Sequence, residues 1–157
     1  MPILDELYPI LTLYPSNPRP GSAHESPASE EEIRFLLEEF PNAPADYIEI
    51  VSVHNGCIIG GEMASLYIWM YETSTAYGTM KDWYSFLLEE MPDCFYFGQD
   101  GDDIYLYGSH EGKTGVYKVA IAGSDWRYDP YFAPSIRALL CHGEGWRNGE
   151  ESTEEGT

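Results

Sequence analysis

Basic residues are scarce in this chain of 157 residues, which has 8 lysines and arginines against 27 aspartates and glutamates. The formal net charge at pH 7 is therefore −19. Such a chain repels nucleic acids and anionic lipid surfaces and attracts basic proteins. We therefore predict no nucleic-acid or membrane partner and, where the charge serves binding, a basic protein partner. The alternative is that the acidity serves solubility alone.

Cysteines are few and show no pairing pattern. Cys57, Cys94 and Cys141 lie far apart beside apolar or aromatic neighbours, and the chain has no C-x-x-C motif and no Cys/His cluster at zinc spacing. They predict buried free thiols in a reducing compartment. The first residues lack the basic start of a signal peptide, and no apolar run reaches the roughly 18 residues of a membrane span. We expect a cytoplasmic protein.

Sequence motifs of the common enzyme classes are absent. The chain has no H-E-x-x-H, no G-x-S-x-G and no complete G-x-x-x-x-G-K-[ST] motif, and its four histidines are scattered. The segment from Asp100 to Glu111 has the length of a calcium-binding loop, but Tyr105 stands where that loop requires glycine. We therefore predict a protein that is not an enzyme and has no catalytic residues, cofactor or metal. A metal-assisted hydrolase that uses the acidic turn remains an alternative.

The composition predicts one folded domain, since 43% of the residues are hydrophobic and 15% are aromatic. We place it at residues 29–143. Residues 1–28 hold six of the eleven prolines and form a lead-in, within which residues 3–14 are apolar enough to dock on the domain as a short helix or strap. Residues 144–157 carry five glutamates among Gly, Ser and Thr and predict a disordered acidic tail.

Two aromatic runs flank a tight acidic turn. Residues 95–98 and 103–107 alternate with the period of a β-strand and predict a hairpin, in which we expect Gly98 and Gly101 to adopt a positive φ. The expected core residues are Phe95, Phe97, Ile104 and Leu106. The residues expected on the opposite face are Tyr96, Tyr105 and Tyr107. A turn at residues 108–115 and a third strand at residues 116–121 follow.

Capping residues, apolar spacings of three and four, and prolines predict four helices. They begin at Ser29, Pro44, Thr79 and Ser135. The first ends before Pro41, the second ends at a left-handed Asn55-Gly56 cap, and the third stops at Pro92. A further strand is predicted at residues 66–70. The fold class is therefore α+β, with a mainly antiparallel sheet flanked by about four helices.

Several short motifs occur in an order that resembles one family. They are Pro44-Ala-Asp46-Tyr47 with the following Asn55-Gly56, the turn Phe97-Gly98-Gln-Asp100-Gly101 with its Tyr-rich strand, the strand Val116-Tyr117-Lys-Val119, and the closing helix from Pro134 to Leu140. In this order the chain resembles the SUKH superfamily over roughly residues 29–142. The resemblance implies a SUKH-like fold and a binding module. Most bacterial members look like immunity proteins that neutralise a cognate toxin, often a nuclease, whereas fungal relatives look like regulatory scaffolds.

The resemblance and the charge together predict an immunity protein whose acidic surface binds a basic toxin such as a nuclease. A non-catalytic regulatory or scaffold module is the alternative. Interface hot spots favour aromatic residues while charges steer the approach, so we expect binding at acids beside exposed aromatics. The candidate residues are Asp100, Asp102, Asp103, Tyr105, Tyr107, Glu111, Asp125, Trp126, Tyr128, Asp129 and Tyr131. For the acidic turn an ordinary solvated turn, and for Trp126 and Tyr131 a role as core lid, stay open.

Overall fold

A computed structural model describes residues 2–15, 27–61, 66–83, 93–120 and 131–145. The strands form one seven-stranded antiparallel sheet in which each strand neighbours the next along the chain. They are β1 (Thr12–Pro15), β2 (Cys57–Gly60), β3 (Tyr67–Met70), β4 (Phe95–Asp100), β5 (Asp103–His110), β6 (Lys113–Ala120) and β7 (Tyr131–Ala133). The α-helices of the described residues are α1 (Glu30–Glu39), α2 (Ala45–Val51), α3 (Thr73–Gly78) and α4 (Ile136–Cys141). The expected α+β class is confirmed.

Helix α1 begins where its capping motif places it. The Ser29 hydroxyl oxygen accepts a hydrogen bond from the Glu32 N–H at 3.1 Å, and the Glu32 carboxylate accepts one from the Ser29 N–H at 3.0 Å. The helix ends at Glu39, before Pro41, as predicted. Within α1, Leu36 is the buried residue, so this helix lies at the periphery of the core.

Helix α2 has the predicted buried residues Tyr47, Ile50 and Val51. Its end differs from the prediction, because the helix stops at Val51 and the chain makes a further turn before it reaches Gly56. The positive φ of Gly56, 102°, is confirmed, but the residue lies in the turn into β2 and does not cap α2.

Helix α3 begins at Thr73, well before the predicted cap at Thr79. The Thr79 hydroxyl donates to the Thr75 carbonyl at 2.6 Å, and a side chain that bonds back to its own helix does not cap a new one. The Thr73 N–H donates instead to the side-chain oxygen of Asn55 at 2.8 Å, which caps the start of α3. The helix runs on into a π-helical turn, Thr79–Trp83, and the rest of the predicted helix lies outside the described residues.

Helix α4 begins as predicted, with the Ser135 hydroxyl oxygen accepting from the Ala138 N–H at 3.0 Å. It ends before Gly143, whose φ is 71°. In the part of the chain that the structure describes, none of the helices has the length and apolar character of a membrane span.

The N-terminal segment docks on the domain, as expected for residues 3–14. Ile3 and Leu11 are buried, residues Ile3–Asp5 form a 3-10 turn, and β1 pairs with β2. The Glu49 carboxylate of α2 accepts hydrogen bonds from the Ile3 N–H at 2.5 Å and from the Arg137 guanidinium at 3.0 Å. One side chain therefore joins this segment to α2 and α4. Residues 16–26 and the predicted tail from residue 146 onward lie outside the described residues.

The central hairpin has the predicted turn, with Asp100 paired to Asp103 and Gly101 at φ 58°. Gly98 lies within β4 and, contrary to the prediction, has no positive φ. A Cβ atom at Gly98 would lie 2.6 Å from Cγ2 of Ile68, so glycine is needed there because β3 approaches closely.

A bulge between Tyr96 and Gly98 sets the register of this hairpin. It places Phe95 opposite Tyr107 and Tyr96 opposite Leu106, so phenylalanines and tyrosines share faces. The predicted core residues are buried, namely Phe95, Phe97, Ile104 and Leu106. Tyr96 and Tyr105, which were predicted on the opposite face, are fully buried as well, so the expectation that Tyr105 is an exposed aromatic is wrong.

The next turn is tighter than predicted. Strands β5 and β6 stay paired as far as His110 and Lys113, which leaves Glu111 and Gly112 as a two-residue turn with φ of 52° and 80°. The predicted turn over residues 108–115 is therefore too wide.

The three cysteines are free, and Cys57 and Cys94 are buried, as predicted. Cys141 is only half-buried. Burial raises the pKa of the Cys57 and Cys94 thiols to about 12, so both stay protonated near neutral pH.

Candidate functional site

The predicted acidic turn is present, and its three carboxylates have different surroundings. Asp102 is exposed at the tip of the turn. Asp100 forms an ion pair with the Lys118 ammonium at 3.1 Å, and Asp103 lies 4.0 Å from the same ammonium. Because one lysine neutralises part of this charge, Asp102 is the carboxylate best placed to act on a distant partner.

Tyr105 was predicted at this surface, but its side chain is fully buried. Its ring lies 6.2 Å from that of Phe97 and 6.0 Å from that of Phe132, and the Lys118 ammonium lies 5.2 Å from its centre. The hydroxyl has no hydrogen-bond partner among the described residues, and burial raises the pKa of Tyr105 well above its usual value. The predicted contact role of Tyr105 is corrected to a core role.

The remaining predicted residues do not gather around the acidic turn. Glu111 is exposed at the opposite end of β5, about 25 Å away for an eight-residue strand. Tyr107 is half-buried within β5. Tyr131 is half-buried in β7, with its ring 5.4 Å from that of Tyr117 and the Lys113 ammonium 3.9 Å from its centre, which favours the structural alternative. Four further candidates lie outside the described residues, namely Asp125, Trp126, Tyr128 and Asp129.

A surface that the sequence analysis did not select lies beside the acidic turn. Pairing places Tyr14, Ile58, Trp69 and Gln99 in one row across β1 to β4, and residues paired in this way point to the same face of a sheet. Tyr67 shares that face because it precedes Trp69 by two positions in β3. We call these five residues the open face.

The aromatic side chains of the open face are exposed to solvent. The exposed fractions are 44% for Tyr14, 45% for Tyr67 and 37% for Trp69. Residues of the open face and Gly101 of the acidic turn line a depression of about 290 Å³. Exposed aromatics therefore do lie beside the acidic turn, but they are Tyr67 and Trp69 of β3, and neither is among the predicted residues.

The open face is held in place by a chain of contacts from the core. The Trp69 ring packs edge-on against that of the buried Tyr71, with 5.4 Å between the ring centres. The Tyr71 hydroxyl donates to the Gln99 side-chain oxygen at 2.7 Å, and the Gln99 amide donates to the Gly101 carbonyl at 2.8 Å. Trp69 and the acidic turn are thus fixed relative to each other before any partner arrives.

One signal in the sequence identifies part of the open face. In the run Leu66-Tyr-Ile-Trp-Met, the strand period places Tyr67 and Trp69 on one face of the strand and Leu66, Ile68 and Met70 on the other face. Tyr14 had no comparable signal, because β1 is four residues long and lies in a proline-rich segment.

The residues that carry the family resemblance near α2 have structural roles. The Asp46 carboxylate accepts from the Arg137 N–H at the start of α4 at 3.0 Å. The Tyr47 hydroxyl donates to the Tyr71 carbonyl at 2.8 Å, and its ring lies 5.0 Å from that of Phe95. Asn55 caps α3 and donates to Glu32 at 3.3 Å. These side chains join the helices to the sheet and are not available to a partner.

Within the described ranges no group of three or more His, Cys, Asp or Glu residues could hold a metal ion. At the acidic turn a lysine ammonium already occupies the space between Asp100 and Asp103. The metal-assisted hydrolase alternative therefore gains no support from this turn.

Comparison of the sequence with protein-family models found no match, and comparison with curated proteins found no match either.

Proposed function

We propose that this chain is a non-catalytic binding protein that neutralises a basic protein partner, as an immunity protein of the SUKH type neutralises its toxin. The observation that carries the proposal is the row of exposed aromatic side chains on the open face, next to the acidic turn. The SUKH part rests on the order of motifs in the sequence. An α+β fold with an antiparallel sheet is compatible with it.

The open face has the features of a binding surface. Tyr and Trp supply large contact areas at low cost in conformational entropy, and they are enriched among residues that dominate binding energy. Contacts with Tyr71 and Gln99 hold Trp69 in place, so little ordering is left for the partner to impose. We therefore assign Trp69 and Tyr67 as the anchors.

Charge complements these anchors. A net charge of −19 attracts a cationic protein over a distance, and an enzyme that cleaves nucleic acid needs lysine and arginine around its substrate. An acidic, aromatic surface seated on such a site blocks the access of phosphate. A basic nuclease is accordingly the partner class that fits best.

Co-expression tests this proposal. The basic C-terminal domain of a large protein encoded beside this chain's gene should arrest growth of a host cell, and this chain should restore growth. Replacement of both anchors, Tyr67→Ala with Trp69→Ala, should abolish protection. The control is Val53→Ala, which truncates another exposed apolar side chain, at 44% exposure. Failure of the wild-type chain to protect, or equal protection by the anchor variant, would contradict the proposal.

Association and dissociation rates distinguish the electrostatic role of Asp102 from the contact role of Trp69. Asp102→Asn should slow association by about twofold at low salt and leave dissociation unchanged, because an exposed charge acts through a field that is screened over about 8 Å at physiological salt. Trp69→Ala should instead speed dissociation at both salt concentrations. Stopped-flow measurements at two salt concentrations make the comparison. An unchanged association rate for Asp102→Asn would remove the steering role of the turn.

A further inference from the structure

A second surface lies between α1 and α3. A groove of about 420 Å³ opens there, lined by Glu31, Glu32, Phe35, Leu36, Thr73 and Tyr77 among others. Phe35 is 58% exposed although phenylalanine is among the most apolar residues. The groove is separate from the open face, with which it shares no lining residue.

Aromatic rings form one wall of this groove. The rings of Phe35 and Tyr77 are 5.0 Å apart, and the Phe40 ring packs edge-on against Tyr77 at 5.8 Å. Across the groove, Lys81 of the π-helical turn forms an ion pair with Glu39 of α1. These contacts fix the spacing between the two helices, so the groove is formed in the free protein.

The rim of the groove is acidic. Glu31 and Glu32 of α1 line it, and the carboxylate of Glu31 has no ion pair or hydrogen bond within the described residues. The Glu32 carboxylate is held by Ser29 and Asn55, which keeps its charge at the groove. An apolar floor therefore lies beneath a negative edge.

We propose that the groove between α1 and α3 binds a basic, amphipathic peptide segment of another protein. Its apolar side chain would pack on Phe35, Leu36 and Tyr77, and an adjacent arginine or lysine would meet Glu31. Arginine suits this groove best, because its guanidinium stacks on aromatic faces and pairs with a carboxylate. The proposal does not depend on the partner of the open face.

Charge decides between this occupant and others. A second copy of the chain also carries −19, so self-association through the groove works against electrostatic repulsion. Nucleic acids and anionic lipid surfaces are repelled by the same glutamates. A cationic peptide is attracted by the rim and can also cover the apolar floor.

The test uses a short fluorescein-labelled peptide of alternating leucine and arginine as the probe. Fluorescence anisotropy should show saturable binding, and amide shifts in NMR spectra should locate it at α1 and α3. Two peptides, with glutamine for arginine or serine for leucine, should each bind at least about tenfold more weakly.

Matched variants distinguish the groove from the general field of the protein. Glu30 and Glu31 are adjacent exposed residues in the first turn of α1, but Glu30 lines a different depression, with Ile33 and Leu37. Glu31→Lys should weaken peptide binding about fivefold more than Glu30→Lys, although both change the net charge equally. Phe35→Ala should weaken it about fivefold, whereas Val53→Ala should not.

Several outcomes would overturn the proposal. Equal effects of Glu30→Lys and Glu31→Lys would show attraction by overall charge without a site. Shifts confined to the open face would place the peptide elsewhere. A dimer in sedimentation that Phe35→Ala dissociates would show that a second copy occupies the groove. Circular dichroism of each variant verifies that it folds.

Discussion

One row of paired residues crosses six of the strands and changes its environment along the way. Tyr14 and Trp69 lie at the exposed end of the row, whereas Ile104 and Val119, which continue it through β5 and β6, are buried. All point to the same face of the sheet. Position on a face therefore does not decide burial. On this face the sheet has an open part over β1 to β3 and a closed part over β5 and β6, with the half-buried Gln99 of β4 between them.

The largest difference in the free energy of unfolding is expected between alanine substitutions of two isoleucines in this row. Ile104→Ala should lower the free energy of unfolding by about 2–5 kcal/mol, because it leaves a cavity in the closed part. Ile58→Ala in the open part should cost only about 1 kcal/mol, since Ile58 is half-exposed and solvent fills the space. Urea unfolding of both variants measures the difference. Equal losses would mean that the open face is covered in solution.

Gly98 lies in β4, between the open and the closed parts of the sheet. Gly98→Ala should cost about 1–3 kcal/mol in the free energy of unfolding, because the new methyl group would meet Ile68 and, at 3.1 Å, the Trp69 carbonyl. The same substitution in an Ile68→Ala background should cost less, since part of the contact is gone. If the cost is the same in both backgrounds, contact with Ile68 is not its cause.

The opposite face of β1 to β3 is buried, and Cys57 lies on it. The burial of its thiol should make the stability of the protein depend on pH in the alkaline range. The unfolded thiol ionises near pH 9.0, whereas the folded thiol holds its proton until about pH 12. Above pH 9 the unfolded state therefore binds fewer protons than the folded state. The contribution of this thiol to the free energy of unfolding is fully present below pH 9 and falls as pH rises above it.

Between pH 8 and pH 10 this loss should be about 1.4 kcal/mol for Cys57 and the same for Cys94. Urea unfolding across this range measures it, and Cys57→Ala should flatten the dependence. A dependence that Cys57→Ala leaves unaltered would show that the thiol is not shielded from water.

The smallest change in the free energy of unfolding is expected when the buried hydroxyl of Tyr105 is removed. Tyr105→Phe should leave the free energy of unfolding unchanged or raise it by up to about 1 kcal/mol, because the hydroxyl is buried and has no partner among the described residues. Thermal unfolding measures the change, and Tyr96→Phe, which removes a similar hydroxyl, should behave alike. A loss above about 1 kcal/mol would indicate a buried water bound to the hydroxyl.

Local signals in the sequence predicted the parts of the fold that depend on nearby residues. Ser29 and Ser135 mark helix starts because a cap bonds to a group three residues away. Gly101 marks a turn because its positive φ is a property of the local backbone. The prediction for Thr79 was wrong because its hydroxyl could either cap a following helix or bond back to a preceding one. The structure has a preceding helix, and the hydroxyl donates to a carbonyl of that helix.

The types of residue in the candidate site were predicted, but most of the particular residues were not. The sequence indicated acids beside exposed aromatics, and the acidic turn lies where it was expected. Tyr105 was assigned to the surface because the face opposite Ile104 was taken to be exposed, whereas packing against Phe97 and Phe132 buries Tyr105 on that face. Trp69 and Tyr67 had the right alternation and were passed over.

The sequence by itself determined the α+β class, the acidity, several helix starts and the sharing of faces within a strand, because these depend on charge and on neighbours a few residues apart. Only the tertiary structure decided which faces are covered, since coverage depends on segments distant in the chain. Strand β1 pairs with β2 across more than forty residues of the chain, β2 pairs with the nearby β3, and together these pairings create the exposed row of Tyr14, Ile58 and Trp69. The candidate binding surface is therefore a product of the assembled sheet.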